Sequence, residues 1–270
     1  MADTDKLFAG SIPEIYDRLM VPMIFAPYAD DLANRLAFWG PKDILETAAG
    51  TGALTRAIGA ALGSDVRLVA TDLNQPMLDR ASAALELPQR ITLQQADALA
   101  LPFPDQSFDA VVCQFGAMFF PDKLAGYREA RRVLKPGGHF LFNVWDRIEE
   151  NAFTNVVSQA LAKSFPDDPP TFMKRVPHGY HDMDLITREL TQAGFQWVGG
   201  GTVPNISKAA TAHDAAVAFC QGTPLRNEIV ARDASCLEEV TTVVTDALEQ
   251  TFGSGAIGAP MQAHVFTARR

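Results

Sequence analysis

From Asp43 to Val144 short apolar runs alternate with stretches of helical period. That alternation marks parallel βαβ units, so the predicted class is α/β, with helices on both faces of an open sheet. Apolar runs near 43–47, 67–71, 90–94, 108–113 and 138–145 predict strands, and the segments near 52–62, 75–86 and 122–134 predict helices. Asn74 ahead of Pro76 suits a helix start, and Lys135-Pro136-Gly137-Gly138 a helix stop. Ahead of this core, Leu32, Leu36 and Trp39 share one helical face, so residues 1–42 are expected to form a helical cap.

Beyond Trp145 the pattern changes. Residues 146–183, with FPDDPPTFMKRVPHGYHD, interrupt the sheet pattern and read as a lid or substrate cap. Asp184 is expected to cap a helix that ends at Ala193, with Gly194 as its stop. FQWVGGGTV then reads as a strand ending in a flexible glycine run, residues 209–252 as helical, and AHVFTA as a last strand. Residues 184–270 thus complete the fold around a helical insertion.

The stretch with the clearest chemistry is DILETAAGTGAL, Asp43 to Leu54. A short apolar run passes through Gly50 and Gly52 into helical spacing at Leu54, Ile58 and Leu62, which is a strand turning tightly into a helix. Glycine lets backbone approach a ligand closely there. Asp72 closes the second run, at the spacing where an α/β sheet that grips an adenosine ribose ends its second strand with a carboxylate. Asp97 closes the third.

Four blocks in order, ETAAGTG, ATDLNQPML, QADALALPFPDQSFDAV and RRVLKPGGHFLF, resemble the class I S-adenosylmethionine-dependent methyltransferases, in the branch of the ubiquinone and menaquinone biosynthesis enzymes. The resemblance covers about the first half of the chain. It implies a Rossmann-like, seven-stranded, mostly parallel sheet with a helical lid, a final antiparallel hairpin and a cofactor-binding core over residues 43–145. The implied cofactor is S-adenosyl-L-methionine, leaving as S-adenosyl-L-homocysteine. Its implied contacts are Tyr16 over the methionine end, Glu46, Ala48, Gly50 and Gly52 in the loop, and Asp72 at the ribose. Leu73 and Met77 would flank the adenine, Asp97 and Ala98 its amino edge, and Gln114 and Phe115 the reactive methyl. Ala48 departs from the family, which commonly has glycine there. A hydride-transferring Rossmann enzyme fits less well, because the third glycine of its fingerprint would fall at Thr55.

Several of these residues also have plain structural readings. Tyr16 suits any half-wet helix site, Asp97 any turn, and Phe115, Phe119 and Phe120 an ordinary core. Methyl transfer needs no dedicated base, so the catalytic set stays open; His178, His181 and Tyr180 in the lid are candidates, with a polar surface role as the alternative. His139 and His264 fall in strands.

Composition narrows the partners. The 270 residues carry a net charge of −9, and the basic clusters, Arg131-Arg132-Lys135 and Arg269-Arg270, form no extended stripe in sequence. Nucleic acid is therefore disfavoured. Phe165, Phe172, Met173 and Tyr180 point to a small, partly apolar acceptor. Three scattered cysteines argue against a disulfide framework or a Cys-x-x-Cys metal site, and no metal is expected. The opening MADTDKLFAG shows no export signal and no run spans a bilayer, so a cytoplasmic protein is expected; a homodimer stays open. Two other classes remain: a non-catalytic module with this fold, and a different nucleotide-dependent enzyme.

Overall fold

The computed structural model describes residues 3–84 and 90–270. The predicted second helix therefore has its last two residues, 85 and 86, outside the described residues. The chain folds as two units, one comprising 1–25, 145–180 and 204–262, the other 26–144, 181–203 and 263–270.

The second unit is built on the sheet. The strands of the sheet are β1 (Asp43–Glu46), β2 (Arg67–Asp72), β3 (Ile91–Gln95), β4 (Phe108–Gln114), β5 (Leu134–Trp145), β6 (Trp197–Ala209) and β7 (Ile257–Arg269), in spatial order 3-2-1-4-5-7-6, and the second unit holds β1 to β4 whole, β5 to Val144, β6 to Val203 and β7 from Ala263. The first five pair in parallel. Gly137 N–H donates to Arg270 O and Asp146 N–H to Gln262 O, so β7 runs antiparallel to β5. The order reverses between β1 and β4, which opens a crevice at their carboxyl ends.

Alternation along the strands explains the two covered faces. On one, α1 (Ala26–Trp39) and α2 (Ala53–Ala61) contribute Leu32, Leu36, Leu54 and Ile58 to a core with Ile44, Leu68, Val112 and Leu141. On the other, Phe140 stacks on Phe142 at 4.7 Å and on Phe195 at 5.9 Å, while Tyr127 of α4 (Lys123–Val133) lies 5.5 Å from Phe142. The remaining helix of the crossovers, α3 (Gln75–Ala84), buries Met77, Leu78 and Ala81.

The first unit is mostly helical. Its wide helical stretch Tyr16–Phe25 accommodates Pro22, which has no N–H to donate. It packs on α7 (Ala212–Gln221), and α9 (Leu237–Phe252) packs on α7 and on α5 (Ala152–Ser164). Asp5, only 2% exposed, forms a two-pronged pair with Arg175 at 2.5 and 2.8 Å.

Three expectations need correction. The helix α6 (Met183–Gln192) is capped by Asp182, which accepts from Asp184 N–H and Leu185 N–H, so Asp184 lies in its first turn. Lys135–Gly138 do not stop α4: the helix ends at Val133 and β5 starts at Leu134, with a register shift between Phe108 and Ala110 opposite. The glycines 199–201 lie inside β6, which continues to Ala209. The stretch 209–252 is helical as expected, divided into α7, α8 (Leu225–Arg232) and α9. Among the described residues no helix is long and apolar enough to cross a membrane.

Leu36 anchors α1 with no exposed surface. Leu36→Ala should lower the unfolding free energy by ~2–5 kcal/mol, read from urea midpoints, because a buried leucine leaves a cavity that collapses only partly.

Candidate functional site

The crevice is assembled by backbone pairing before any side chain acts. Ala49 N–H donates to Thr71 O and Thr47 N–H to Val112 O, so the loop after β1 is stitched to both neighbouring strands. Gly50 and Gly52 take φ of 58° and 83°, the left-handed region that glycine enters without steric cost. Ala48 takes φ of 53° as well, a strained state for alanine. A Cβ on Gly116 would come within 2.4 Å of Ala48 Cβ and 2.7 Å of Cys113 Sγ, so the turn after β4 closes onto the loop only because residue 116 is glycine.

Two carboxylates lie beneath this loop. Glu46 is 1% exposed; its Oε2 accepts from Thr55 Oγ1 at 2.6 Å, and its Oε1 has no partner. Burial pushes its carboxyl up to about 8, the Thr55 hydroxyl opposes this, and the charge of Asp72 adds to it. Asp72, 7% exposed, accepts from Gly50 N–H through Oδ2 and from Asn74 N–H through Oδ1, both at 2.8 Å. Burial raises its pKa, and those two N–H groups hold it down. Thr55 occupies the position where a hydride-transfer fingerprint has glycine; here its hydroxyl holds Glu46.

The other wall follows β4. Phe115, at φ 51°, donates its N–H to Asn143 Oδ1 at 2.9 Å and meets Tyr28 edge-on at 5.4 Å. Gln114 is half-buried and pairs in register with Asn143. Asn143, fully buried, has no partner for Nδ2. Sequence reading passed over Asn143, although a lone amide in the apolar run HFLFNVW was the available signal. Lys123 pins the turn by donating to Met118 O and Phe120 O, and burial lowers its pKa to about 8.

The remaining candidates separate. Met77 is buried, and its Cε is the nearest atom to the place a Cβ on Gly50 would take, at 3.6 Å; Leu73 is 43% exposed. Ala96 N–H donates to Asp72 O, which brings the end of β3 beside that of β2. Asp97, exposed, accepts from Leu99 N–H at 2.9 Å in a tight turn, and Ala98 is half-buried. Tyr16, His178 and Tyr180 belong to the other unit, whereas His181 belongs to the sheet unit. There Tyr16 stacks on Phe25 at 5.0 Å. His178 is buried with Nδ1 2.7 Å from Asp146 O, which rules out the polar surface role; Tyr180 is buried too. His139 stacks on Trp39 at 4.4 Å, and His264 Nδ1 lies 3.0 Å from Thr202 Oγ1.

Residues 45–142 match the family model described as a methyltransferase domain. A ubiquinone/menaquinone biosynthesis C-methyltransferase of Shewanella oneidensis is 29% identical over 167 residues, 57% of this chain and 66% of that protein. A demethylmenaquinone methyltransferase of Lactobacillus johnsonii is 41% identical over 157 residues, 51% of this chain and 62% of the other. The chain thus spans just under two thirds of the length of these relatives. Among solved structures, the phosphoethanolamine N-methyltransferase 2 of Haemonchus contortus, crystallised with S-adenosylhomocysteine, superposes with a TM-score of 0.55 at 17% identity, covering 97% of this chain and 61% of that one. At that identity the likeness concerns the fold.

Gly116→Ala should cost ~1–3 kcal/mol in urea unfolding, since Ala48 Cβ cannot move aside without shifting backbone and Cys113 is fully buried. The Glu46 carboxyl ionises near 4.5 in the unfolded chain and about 8 in the fold. Its contribution to stability is therefore complete below pH 4.5 and is lost as pH rises toward 8. Glu46→Gln should flatten the stability–pH curve across that window by on the order of 1 kcal/mol per pH unit, less what Asp72 retains. An unchanged slope in urea titrations would mean that Glu46 is already ionised in the fold.

Proposed function

We propose, since residues 45–142 match the methyltransferase-domain family model, that this chain transfers a methyl group from S-adenosyl-L-methionine to a small, partly apolar organic acceptor. The observation that carries the reading is the buried carboxylate pair under the glycine loop, with Glu46 Oε1 unmatched. A ligand bearing positive charge supplies what two carboxylates so placed lack, because a cation nearby favours their ionised forms. The donor set therefore fits the cofactor.

Asp72 is assigned the ribose hydroxyls. Its Oδ1 accepts from the N–H and the Nδ2 of Asn74, while Oδ2 accepts from Gly50 N–H and keeps capacity for a further donor. Glu46 faces the cationic amino group, Gly50 and Gly52 admit the ligand beside the backbone, and Leu73, Met77 and Ala98 surround the base. Asp97 holds its own turn through one oxygen and offers the other to the adenine amino group. Gln114 and Phe115 close the side where the acceptor enters. When bound, the cofactor supplies an electrophilic methyl on a sulfonium and leaves as S-adenosyl-L-homocysteine. The protein's own contribution is alignment and exclusion of water, the terms that dominate when the leaving group departs neutral.

The names of the relatives point to an acceptor of the kind used in quinone biosynthesis, methylated at carbon. The net charge of −9 agrees with a small molecule rather than nucleic acid. Labelled methyl transfer into small-molecule extracts, run against RNA, tests the acceptor class; incorporation into RNA alone would overturn it. Calorimetry with S-adenosylhomocysteine and with a nicotinamide dinucleotide separates methyl from hydride chemistry. Asp72→Ala should weaken the former by roughly 1–3 kcal/mol, the loss when polar groups are stranded.

A further inference from the structure

The basic residues singled out in the sequence divide into two kinds. Arg132 is neutralised by Glu129 and Asp105, and Lys135 by Asp43 and Asp109, each pair within 2.8 Å. Arg131, Arg269 and Arg270 have no carboxylate side chain within ion-pair distance among the described residues, and they line one cavity of about 360 Å³ with Pro136, Gly137 and Gln196. Arg131 spends Nε on Gly194 O, and Arg270 spends Nη1 on Arg132 O and Leu134 O. Those bonds aim the two guanidinium groups and leave their other N–H groups uncommitted. Gly137, at φ 81°, contributes an open wall: a Cβ there would stand 3.6 Å from Arg269 Nη2. Gly137 N–H donates to Arg270 O, which holds the last arginine beside the turn.

A second cavity, of about 410 Å³, shares Arg269 and is lined by Trp39, His139, Trp197 and Thr267. Trp39 and His139 stack at 4.4 Å with 13° between their planes. Trp197 is 56% exposed, an uncommon state for so large an apolar ring, and it lies folded against Gly199, where a Cβ would meet the indole at 2.6 Å. A cationic, anion-binding subsite thus adjoins an aromatic one at the amino-terminal edge of β5, the edge opposite Glu46 and Asp72.

We propose that this edge is a second binding site, for an aromatic phosphate of nucleotide type: the phosphate on Arg131, Arg269 and Arg270, the ring against Trp39 and Trp197. Guanidinium groups match phosphate oxygens in a planar fork, and indole faces take a flat base without regard to its identity. Uridine 5′-monophosphate is a suitable probe, added by calorimetry to full-length protein saturated with S-adenosylhomocysteine so that the methyl-donor crevice is filled.

The expected result is saturable binding with quenching of tryptophan fluorescence, weakened ~10-fold or more by Arg269→Gln and by Trp197→Ala, the loss typical of a stacked base. Inorganic phosphate should bind more weakly than the nucleotide and compete with it. Undiminished S-adenosylhomocysteine binding in both variants shows that they are folded. Absence of binding at millimolar nucleotide and low salt overturns the site. So does equal affinity for inorganic phosphate and nucleotide together with an unaffected Trp197→Ala, which would reduce the patch to unspecific charge. Neither outcome touches the methyl-donor reading, which rests on S-adenosylhomocysteine binding itself.

Discussion

Two carboxylates withdrawn from water at the ends of neighbouring strands set the conditions for everything around them. Glu46 and Asp72 both have raised pKa values because burial penalises their charge, and the charge of Asp72 raises Glu46 further. The protein stabilises this pair with local donors: the Thr55 hydroxyl for Glu46, the N–H groups of Gly50 and Asn74 for Asp72. The donor from Gly50 exists only because the loop turns through left-handed φ, which presents its N–H to Asp72. Loop shape and carboxylate burial are one problem solved jointly.

Strain collects at the same place. Among the described residues, Ala48 and Phe115 are non-glycine positions with positive φ that bracket the crevice, one after β1 and one after β4. Gly116 lets the two loops touch, and Asn143 holds Phe115 by its N–H. Strained backbone persists where its surroundings over-determine it, and here three elements do so. A left-handed alanine where the family commonly has glycine keeps the turn while adding a methyl group that fills the contact with Gly116.

Much of the frame was legible because it depends on local order. The switch from apolar run to glycines to helical period marks β1 and α2, and the spacing to Asp72 marks the end of β2. What escaped depends on neighbours distant in sequence. Nothing local says that Thr55 would bond Glu46, or that Asn143 would meet Phe115 across a strand pair. The cap of α6 went to Asp182 rather than Asp184 because an aspartate caps from just outside the helix, and two stood two residues apart. His178 reads as a surface residue in a proline-rich stretch, yet tertiary contacts bury it against Asp146 O. The basic residues looked like short, separate clusters because only pairing of β5 with β7 brings residue 137 to residue 270.

That pairing exposes a logic that net charge conceals. In a parallel sheet with crossover helices, helix amino ends gather at the carboxyl edge of the strands and helix carboxyl ends at the opposite edge. Helix dipoles make the first edge favourable to anions and the second to cations. The carboxylates of Glu46 and Asp72 sit at the first, beside the starts of α2 and α3. At the second, Arg131 donates to Gly194 O just past α6, and Arg270 to Arg132 O and Leu134 O at the end of α4. A chain of net charge −9 therefore carries a cationic edge and an anionic one, each placed by the same helix geometry. Ligand chemistry at either edge follows from that local polarity, and the average over the whole sequence predicts neither.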